Sequence, residues 1–590
     1  MYFFGRSAIM MLTVKTRKEI FMRKQRLARI GAATLAAVLT VQGMGFSSTV
    51  YAKEEPVRVK ADSQTQMSSE PEQVAVKDYG SNSARTQNFD SDWKFNLGDV
   101  SNAQTPTFDD SKWRTLSLPH DYSIEQEYSQ SLEAESGYLP GGVGWYRKNF
   151  TLGEEAKGKR IRIDFDGVYM NATVYVNGKE VGTHPYGYTP FSFDITDYIS
   201  YDKENTIAVK VDHQTPSSRW YSGSGIYRSV NLTTTNDVHV DLNGIKVESN
   251  NLEKEAGKTV NTDVKTTVVN GSKEAKNITI THTVFKKGEK PDKAIGTFTT
   301  EAKEVKAGEK AEISATVPVE NPKLWSVENP ELYTIRTEVK AGDKLLDTYD
   351  TEYGFRYLNF DTETGFQLNG KNVKLKGVCM HHDQGALGAV ANRRAIERQV
   401  EILQEMGCNS IRVTHNPASK DLIEVCNEKG ILVIEEVFDG WHRAKNGNSN
   451  DYSVWFEKAI EEDNAILGKE ADMTWAEYDL KAIMKRDQNA PSIIEWSLGN
   501  EIQEGAGGSG YAERADKLIK WAKEADATKT LTIGSNAVKR GDWEQVSIGD
   551  KLTKAGGTSG TNYSDGTSYD KIHKEHPDWK LYGSETASSV

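Results

Sequence analysis

Residues 492–501 read Ser492-Ile493-Ile494-Glu495-Trp496-Ser497-Leu498-Gly499-Asn500-Glu501. The stretch starts as a short run of β-type apolar residues, the pattern of a strand buried on both faces. It closes on a carboxylate where the backbone would leave the sheet. The arrangement returns at Trp579-Lys580-Leu581-Tyr582-Gly583-Ser584-Glu585, a second apolar strand ending in glutamate. Outward from these two, strand and helix signals alternate from Phe366 onward. Strands are expected at Val373–Cys379, Asn409–Val413, Ile431–Val437, Ile493–Leu498 and Thr530–Ile533; helices are expected at Arg393–Met406, Leu422–Asn427, Tyr478–Lys485 and Tyr511–Ala525. Such alternation implies a parallel sheet with right-handed crossovers. No glycine-rich phosphate loop follows a strand, so a dinucleotide fold lacks its signature. Polar residues follow nearly every strand instead: His381-His382, His415-Asn416, Asp439, Asn500-Glu501, Asn562-Tyr563 and Glu585. A mouth built from successive strand ends is how a (β/α)8 TIM barrel makes an active site. The barrel is placed at residues 358–590, with Glu501 and Glu585 on its fourth and seventh strands.

The chain upstream is of another kind. Residues 86–236 read as all-β: the run from Ile161 alternates apolar and polar residues up to Asn177-Gly178, a dipeptide suited to a type I′ hairpin turn. A jelly-roll β-sandwich is expected. Its aromatic segments Gly144-Trp145-Tyr146-Arg147 and Arg219-Trp220-Tyr221 serve either sugar stacking or packing. Residues 237–357 have short alternating strands and turns such as Asn270-Gly271, which fits an immunoglobulin-like sandwich without visible chemistry. Residues 53–85 hold too few large apolar residues to offset chain entropy and read as a disordered linker. Before them, Arg23, Lys24, Arg26 and Arg29 precede the apolar run Ile30–Val41 and the small-residue site Val50-Tyr51-Ala52. Residues 1–52 are therefore read as a signal peptide, with the mature chain secreted or at the cell surface and no membrane span after cleavage.

Length and charge agree with a multidomain soluble chain. Its 590 residues exceed one core, and a formal net charge of -12 excludes nucleic acid as a partner, since phosphate binding needs clustered cations. Cys379, Cys408 and Cys426 are an odd number with apolar neighbours and are read as small buried residues. His381-His382-Asp383 lacks a partner at metal-ligand spacing, so no metal is assigned there. The polar run Asp463–Trp475 is read as a solvated excursion over the mouth.

Six segments taken together resemble glycoside hydrolase family 2, and within it the bacterial β-galactosidases. They are Leu118-Pro119-His120-Asp121, Gly223-Ser224-Gly225-Ile226-Tyr227-Arg228, Gly377-Val378-Cys379-Met380-His381-His382-Asp383, Ile411-Arg412-Val413-Thr414-His415, Ser497–Glu501 and Gly583-Ser584-Glu585. The resemblance runs from about Phe89 to the last residue in the family's domain order. It implies a retaining exo-glycosidase acting on terminal β-D-galactosides of glycans or small galactosides, with Glu501 as acid/base and Glu585 as nucleophile. It further implies that Asn500 binds the sugar 2-hydroxyl and Tyr563 hydrogen-bonds the nucleophile. On the same grounds His381 and His415 lie near the sugar, and Asp121 reaches the mouth from the first sandwich. β-Glucuronidase and β-mannosidase chemistry on the same scaffold, or a non-catalytic glycan-binding protein, are the alternatives. Some relatives place magnesium ligands in the Glu435–His442 segment; Gly440 stands here where a carboxylate is expected, although His442 keeps its place. No cofactor is required on this reading, and magnesium is left open. The chain stops at Val590, where an eight-unit barrel would continue. The expectation is an incomplete barrel, belonging either to a fragment of a longer protein or to a truncated gene product, with unpaired first and seventh strands.

The chemistry required of two glutamates is independent of the resemblance. Cleaving an acetal needs a proton for the leaving oxygen and support for an oxocarbenium-like centre. Two carboxyls about 5 Å apart supply both through a covalent intermediate, whereas a wider gap admits water and inverts. Two like charges that close do not both ionise cheaply, so one carboxyl stays protonated while the other is charged.

Overall fold

The computed structural model describes residues 72–74, 85–503 and 510–587. The expected signal peptide lies outside the described residues, as does most of the expected linker. Within that linker, Glu72–Val74 is a short strand paired in parallel with Phe150–Leu152, so this part is ordered by main-chain hydrogen bonds to the sandwich. Among the described residues, no helix is long and apolar enough to cross a membrane.

The first domain packs a seven-stranded sheet on a four-stranded one. Strand Arg160–Phe165 illustrates the cause: Ile161, Ile163 and Phe165 are buried while the residues between them are half-exposed. The hairpin Ala172–Val176/Lys179–His184 turns at Asn177 and Gly178, with φ of 51° and 80°, the two positive values that a type I′ turn demands. Trp145 and Tyr146 are buried in this domain, which settles their role as packing. Part of the segment expected to be a solvated excursion is buried with them. Ile466, Met473 and Trp475 join the sandwich core, and Asn464 Nδ2 donates to the Thr183 carbonyl at 2.9 Å. Apolar residues interleaved with the charges decide its place. The second domain pairs a three-stranded sheet with a five-stranded one. Fully buried Trp325 donates from Nε1 to the Asn427 carbonyl at 2.8 Å and so fixes this domain to the barrel.

The third domain carries seven parallel strands in sequence order. They are β1 (Gly377–Met380), β2 (Ser410–Val413), β3 (Leu432–Glu436), β4 (Ile493–Asn500), β5 (Thr530–Ser535), β6 (Ser559–Asn562) and β7 (Leu581–Glu585). Each links to the next by parallel pairing, with helices such as Arg393–Glu405 and Tyr511–Ala525 in the crossovers. The first strand begins four residues later than expected (377 against 373), because Val373 donates to Phe366 and Lys371–Asn372 pairs with the hairpin strand Gly365–Leu368. Among the described residues β1 and β7 have one ladder partner each, and Cys379 Sγ on β1 donates to the Ser584 carbonyl at 3.3 Å. Cys379 is nevertheless exposed. Of the three free cysteines Cys426 alone is buried; Cys408 lies half-buried beyond the end of the helix Arg393–Glu405.

Candidate active site

Both glutamates stand at strand ends where the register shifts. The β4–β5 ladder slips between Ser497 and Asn500, and the β6–β7 ladder slips between Thr561 and Asn562. An irregularity of this kind re-aims the side chains that follow it. Glu501 then takes φ +45°, in the left-handed region, and its N–H donates to the Gly534 carbonyl at 2.7 Å.

Glu585 is held through its carboxylate. Oε1 accepts from Arg412 Nη1 at 2.8 Å and Oε2 from Tyr563 OH at 2.5 Å; His415 Nε2 lies 3.8 Å from Oε1. Burial works to raise the Glu585 carboxyl, but Tyr563, Arg412 and His415 together overcome it and hold it below the usual carboxylate range. Glu501 accepts at Oε1 from Asn562 Nδ2 at 2.9 Å. The hydrogen bond to Glu585 does most to raise the Tyr563 phenol, and burial and the charges of Glu585 and Glu501 add to it. Arg412 is the hub between them. It is 4 % exposed, and its Nη2 donates to Glu436 Oε2 at 2.7 Å and to Asn500 Oδ1 at 3.1 Å. A Cβ on Gly534 would come within 2.5 Å of Arg412 Nη2, so a glycine on β5 leaves the room this hub occupies. Glu436 is fully buried and also accepts from His415 Nδ1 at 2.5 Å, which orients that imidazole toward Glu585.

The sandwich contributes one wall of the mouth. Arg219 clamps Asp439 with two hydrogen bonds, Nε to Oδ2 at 2.8 Å and Nη2 to Oδ1 at 2.5 Å. Trp220 stacks on His381 with ring centroids 5.0 Å apart and sits 5.7 Å from the His415 ring. Burial, then the neighbouring His415, pushes His381 down to about 4, so it is neutral at ordinary pH. Asp439 is half-buried, and desolvation alone would raise it, yet Lys445 and Arg219 hold it far below the carboxylate range.

Of the residues singled out from sequence, Glu501, Glu585, Asn500, Tyr563, His381 and His415 converge here. Asp121 does not. It is 1 % exposed, and its oxygens accept from the Ser123 and Ser224 amides at 3.0 and 2.9 Å, from the Ala389 amide at 2.9 Å and from Tyr221 OH at 2.5 Å. With its carboxylate filled by the protein, it ties the loop after β1 to the sandwich. Among the described residues no three His, Cys, Asp or Glu side chains converge on a cation site. His442 pairs with Glu457 at 3.2 Å. Arg412, Glu436, Asn562 and Lys445 received no role from the sequence. The available signal was a charge inside an apolar strand, as in Ile411-Arg412-Val413 and Ile434-Glu435-Glu436-Val437.

Two carboxylates gathered into one hydrogen-bonded cluster at the mouth of a parallel barrel supply the pair that glycoside hydrolysis requires. Comparison with family models gives the same class for all three domains. The sugar binding domain of glycosyl hydrolases family 2 matches residues 86–236, a second family 2 model matches 238–356, and the family 2 TIM barrel domain matches 362–576. The chain belongs to glycosyl hydrolase family 2. It is similar to a β-galactosidase of Bacteroides ovatus, 41 % identical over 422 residues, covering 70 % of this chain and 46 % of that protein. It is also similar to a β-glucuronidase of Formosa agariphila, 29 % identical over 445 residues, covering 70 % and 42 %. Among solved structures, a family 2 member from Bacteroides cellulosilyticus superposes with a TM-score of 0.78 at 35 % identity, covering 86 % of this chain and 62 % of that one. The chain thus spans less than half the length of these two curated relatives.

Proposed function

We propose that this chain carries the catalytic glutamates of an exported, retaining exo-β-galactosidase. The observation that carries the reading is the unequal treatment of the two carboxyls. Glu585 has a guanidinium on one oxygen and a phenol on the other, the surroundings of a permanent anion and hence of a nucleophile. Glu501 faces a neutral amide donor, the surroundings of a group that gives up and regains a proton. In the first half-reaction Glu585 attacks the anomeric carbon while Glu501 donates its proton to the departing oxygen. A glycosyl ester on Glu585 and a free alcohol result. Esterification removes the negative charge of Glu585, so Glu501, now ionised, takes a proton from water, which attacks the same carbon. Sugar of retained configuration leaves, and both glutamates return to their starting states. Asn500, whose Oδ1 accepts from Arg412 and Asn562, is the residue assigned to the 2-hydroxyl.

A neutral glycone is favoured because Arg412, Arg219 and Lys445, three cations set into the mouth, are each engaged by protein carboxylates. The identity to a β-galactosidase points the same way. The second reading, a β-glucuronidase, draws on the similarity to the Formosa protein. Chromogenic β-galactosides, β-glucuronides and β-mannosides assayed side by side decide between them, and turnover of the glucuronide alone overturns the proposed glycone. Glu585→Ala with added azide tests the mechanism: an α-glycosyl azide is expected, and full activity without azide removes the nucleophile assignment.

A further inference from the structure

The peptide that joins Asn500 to Glu501 is gripped at both ends. Its N–H, on Glu501, donates to Gly534 on β5 at 2.7 Å. Its carbonyl, on Asn500, accepts from Lys445 Nζ at 2.6 Å. The same ammonium donates to the Asp439 carbonyl at 2.8 Å and to Asp439 Oδ1 at 2.9 Å, so its three protons have three oxygen partners. The Asp439 carbonyl in turn accepts the Asn500 N–H at 3.2 Å. Lys445 itself lies on the loop that follows β3, outside the pairing of the sheet.

This grip has a conformational purpose. A side chain larger than hydrogen rarely adopts the φ of +45° at Glu501, and it persists where the surroundings over-determine it. Rotation of the 500–501 peptide is the motion that would return Glu501 to ordinary extended backbone. That rotation would withdraw the Asn500 carbonyl from Lys445 and the Glu501 carboxyl from Asn562, whose Nδ2 holds it at 2.9 Å. Arg219, from the sandwich, shares Asp439 with Lys445 and thereby keeps the ammonium's anchor in place.

We infer that Lys445 is a positioning residue for the proton donor. It locks the 500–501 peptide in the orientation that aims Glu501 at the departing oxygen, and it does not itself touch the sugar. The inference rests on the acid/base role proposed for Glu501, and its kinetic signature follows from that role. Departure of an alkoxide needs the proton; departure of a dinitrophenolate does not.

The experiment compares wild type, Lys445→Met and Lys445→Arg on the methyl and 2,4-dinitrophenyl β-glycosides of whichever sugar wild type accepts, reading kcat/KM for each. Lys445→Met is expected to lose about 10²-fold on the methyl glycoside, the scale of a general acid's contribution. It should lose less than about fivefold on the dinitrophenyl one, and Lys445→Arg should recover part of the difference. Equal losses on both substrates mean a merely structural role and overturn the inference. A crystal structure of Lys445→Met reads the same point without turnover. Glu501 should leave the positive-φ region or part from Asn562; an unchanged φ with that hydrogen bond intact overturns the inference even if no glycoside is cleaved. Wild type inactive on every sugar would sink the proposed function instead, leaving the crystal structure to decide this one.

Discussion

At the end of β7, Glu585 is fixed by what touches its carboxylate: Arg412 on one oxygen, Tyr563 on the other. At the end of β4, Glu501 has one neutral donor on its carboxyl, Asn562, and is otherwise fixed by what touches its backbone, with Gly534 and Lys445 at the two ends of one peptide. The contrast follows from the work proposed for each. An anion that must attack is stabilised by donors placed directly on its oxygens. A group that must exchange a proton would be spoiled by the same donors, which pin it in its charged form. Aim without charge compensation has to come from the main chain.

Four measurements can break or sharpen this contrast. The largest effect is expected from Arg412→Met, which strips Glu585 of its cation and leaves Glu436 buried without it. Here kcat/KM should fall by about 10³-fold or more, and denaturant unfolding should lose about 3–5 kcal/mol. A variant as stable and active as wild type would refute the hub. Next is Tyr563→Phe, for which about a 10²-fold loss is expected. Tyr563 lowers the Glu585 carboxyl, so its removal makes that carboxyl more basic. The acid limb of kcat/KM must therefore shift to higher pH, and a limb that stays put removes Tyr563 from nucleophile control.

Smaller is the outcome for Asp121→Asn, whose target fastens two domains together. Stability should drop by about 1–3 kcal/mol, read by thermal or denaturant unfolding, with KM within about twofold. A raised KM at unchanged stability would return Asp121 to the sugar. The smallest effect on activity concerns Glu495, whose Oε1 accepts from Thr558 Oγ1 and whose carboxyl burial pushes up to about 8. A folded-state value above the unfolded one, about 4.3, makes ionisation oppose folding. Wild-type stability should then decline as pH rises from about 4.3 toward 8, and Glu495→Gln should flatten that part of the curve. Parallel curves for the two proteins would place the Glu495 proton elsewhere.

Much of this was legible before coordinates. Alternating signals from Phe366 onward placed the two glutamates on the fourth and seventh strands, because strand-end position is a local property of apolar runs. The helix expected at Tyr511–Ala525 has those bounds in the structure. Arg412 received no role although it is a charge inside an apolar run, because its partners lie on β3, β4 and β7, and pairings that distant leave no local trace. Asp121 was misjudged for the converse reason: a short acidic motif says nothing of the backbone amides, 103 and 268 residues away, that consume its charge. Lys445 sits in a polar loop where a lysine is unremarkable until the Asn500 carbonyl is seen beneath it.

Arg219 and Trp220 lie beside the carboxylates although they belong to a different module. A drawing of this protein as beads on a string would therefore misplace its working parts. Recombination that exchanges the N-terminal bead exchanges part of the aperture as well, since that part comes from sequence preceding Glu585, the proposed nucleophile, by more than three hundred positions (585 against 220). Engineers who discard that bead to obtain a smaller catalyst would discard a piece of the lock with it.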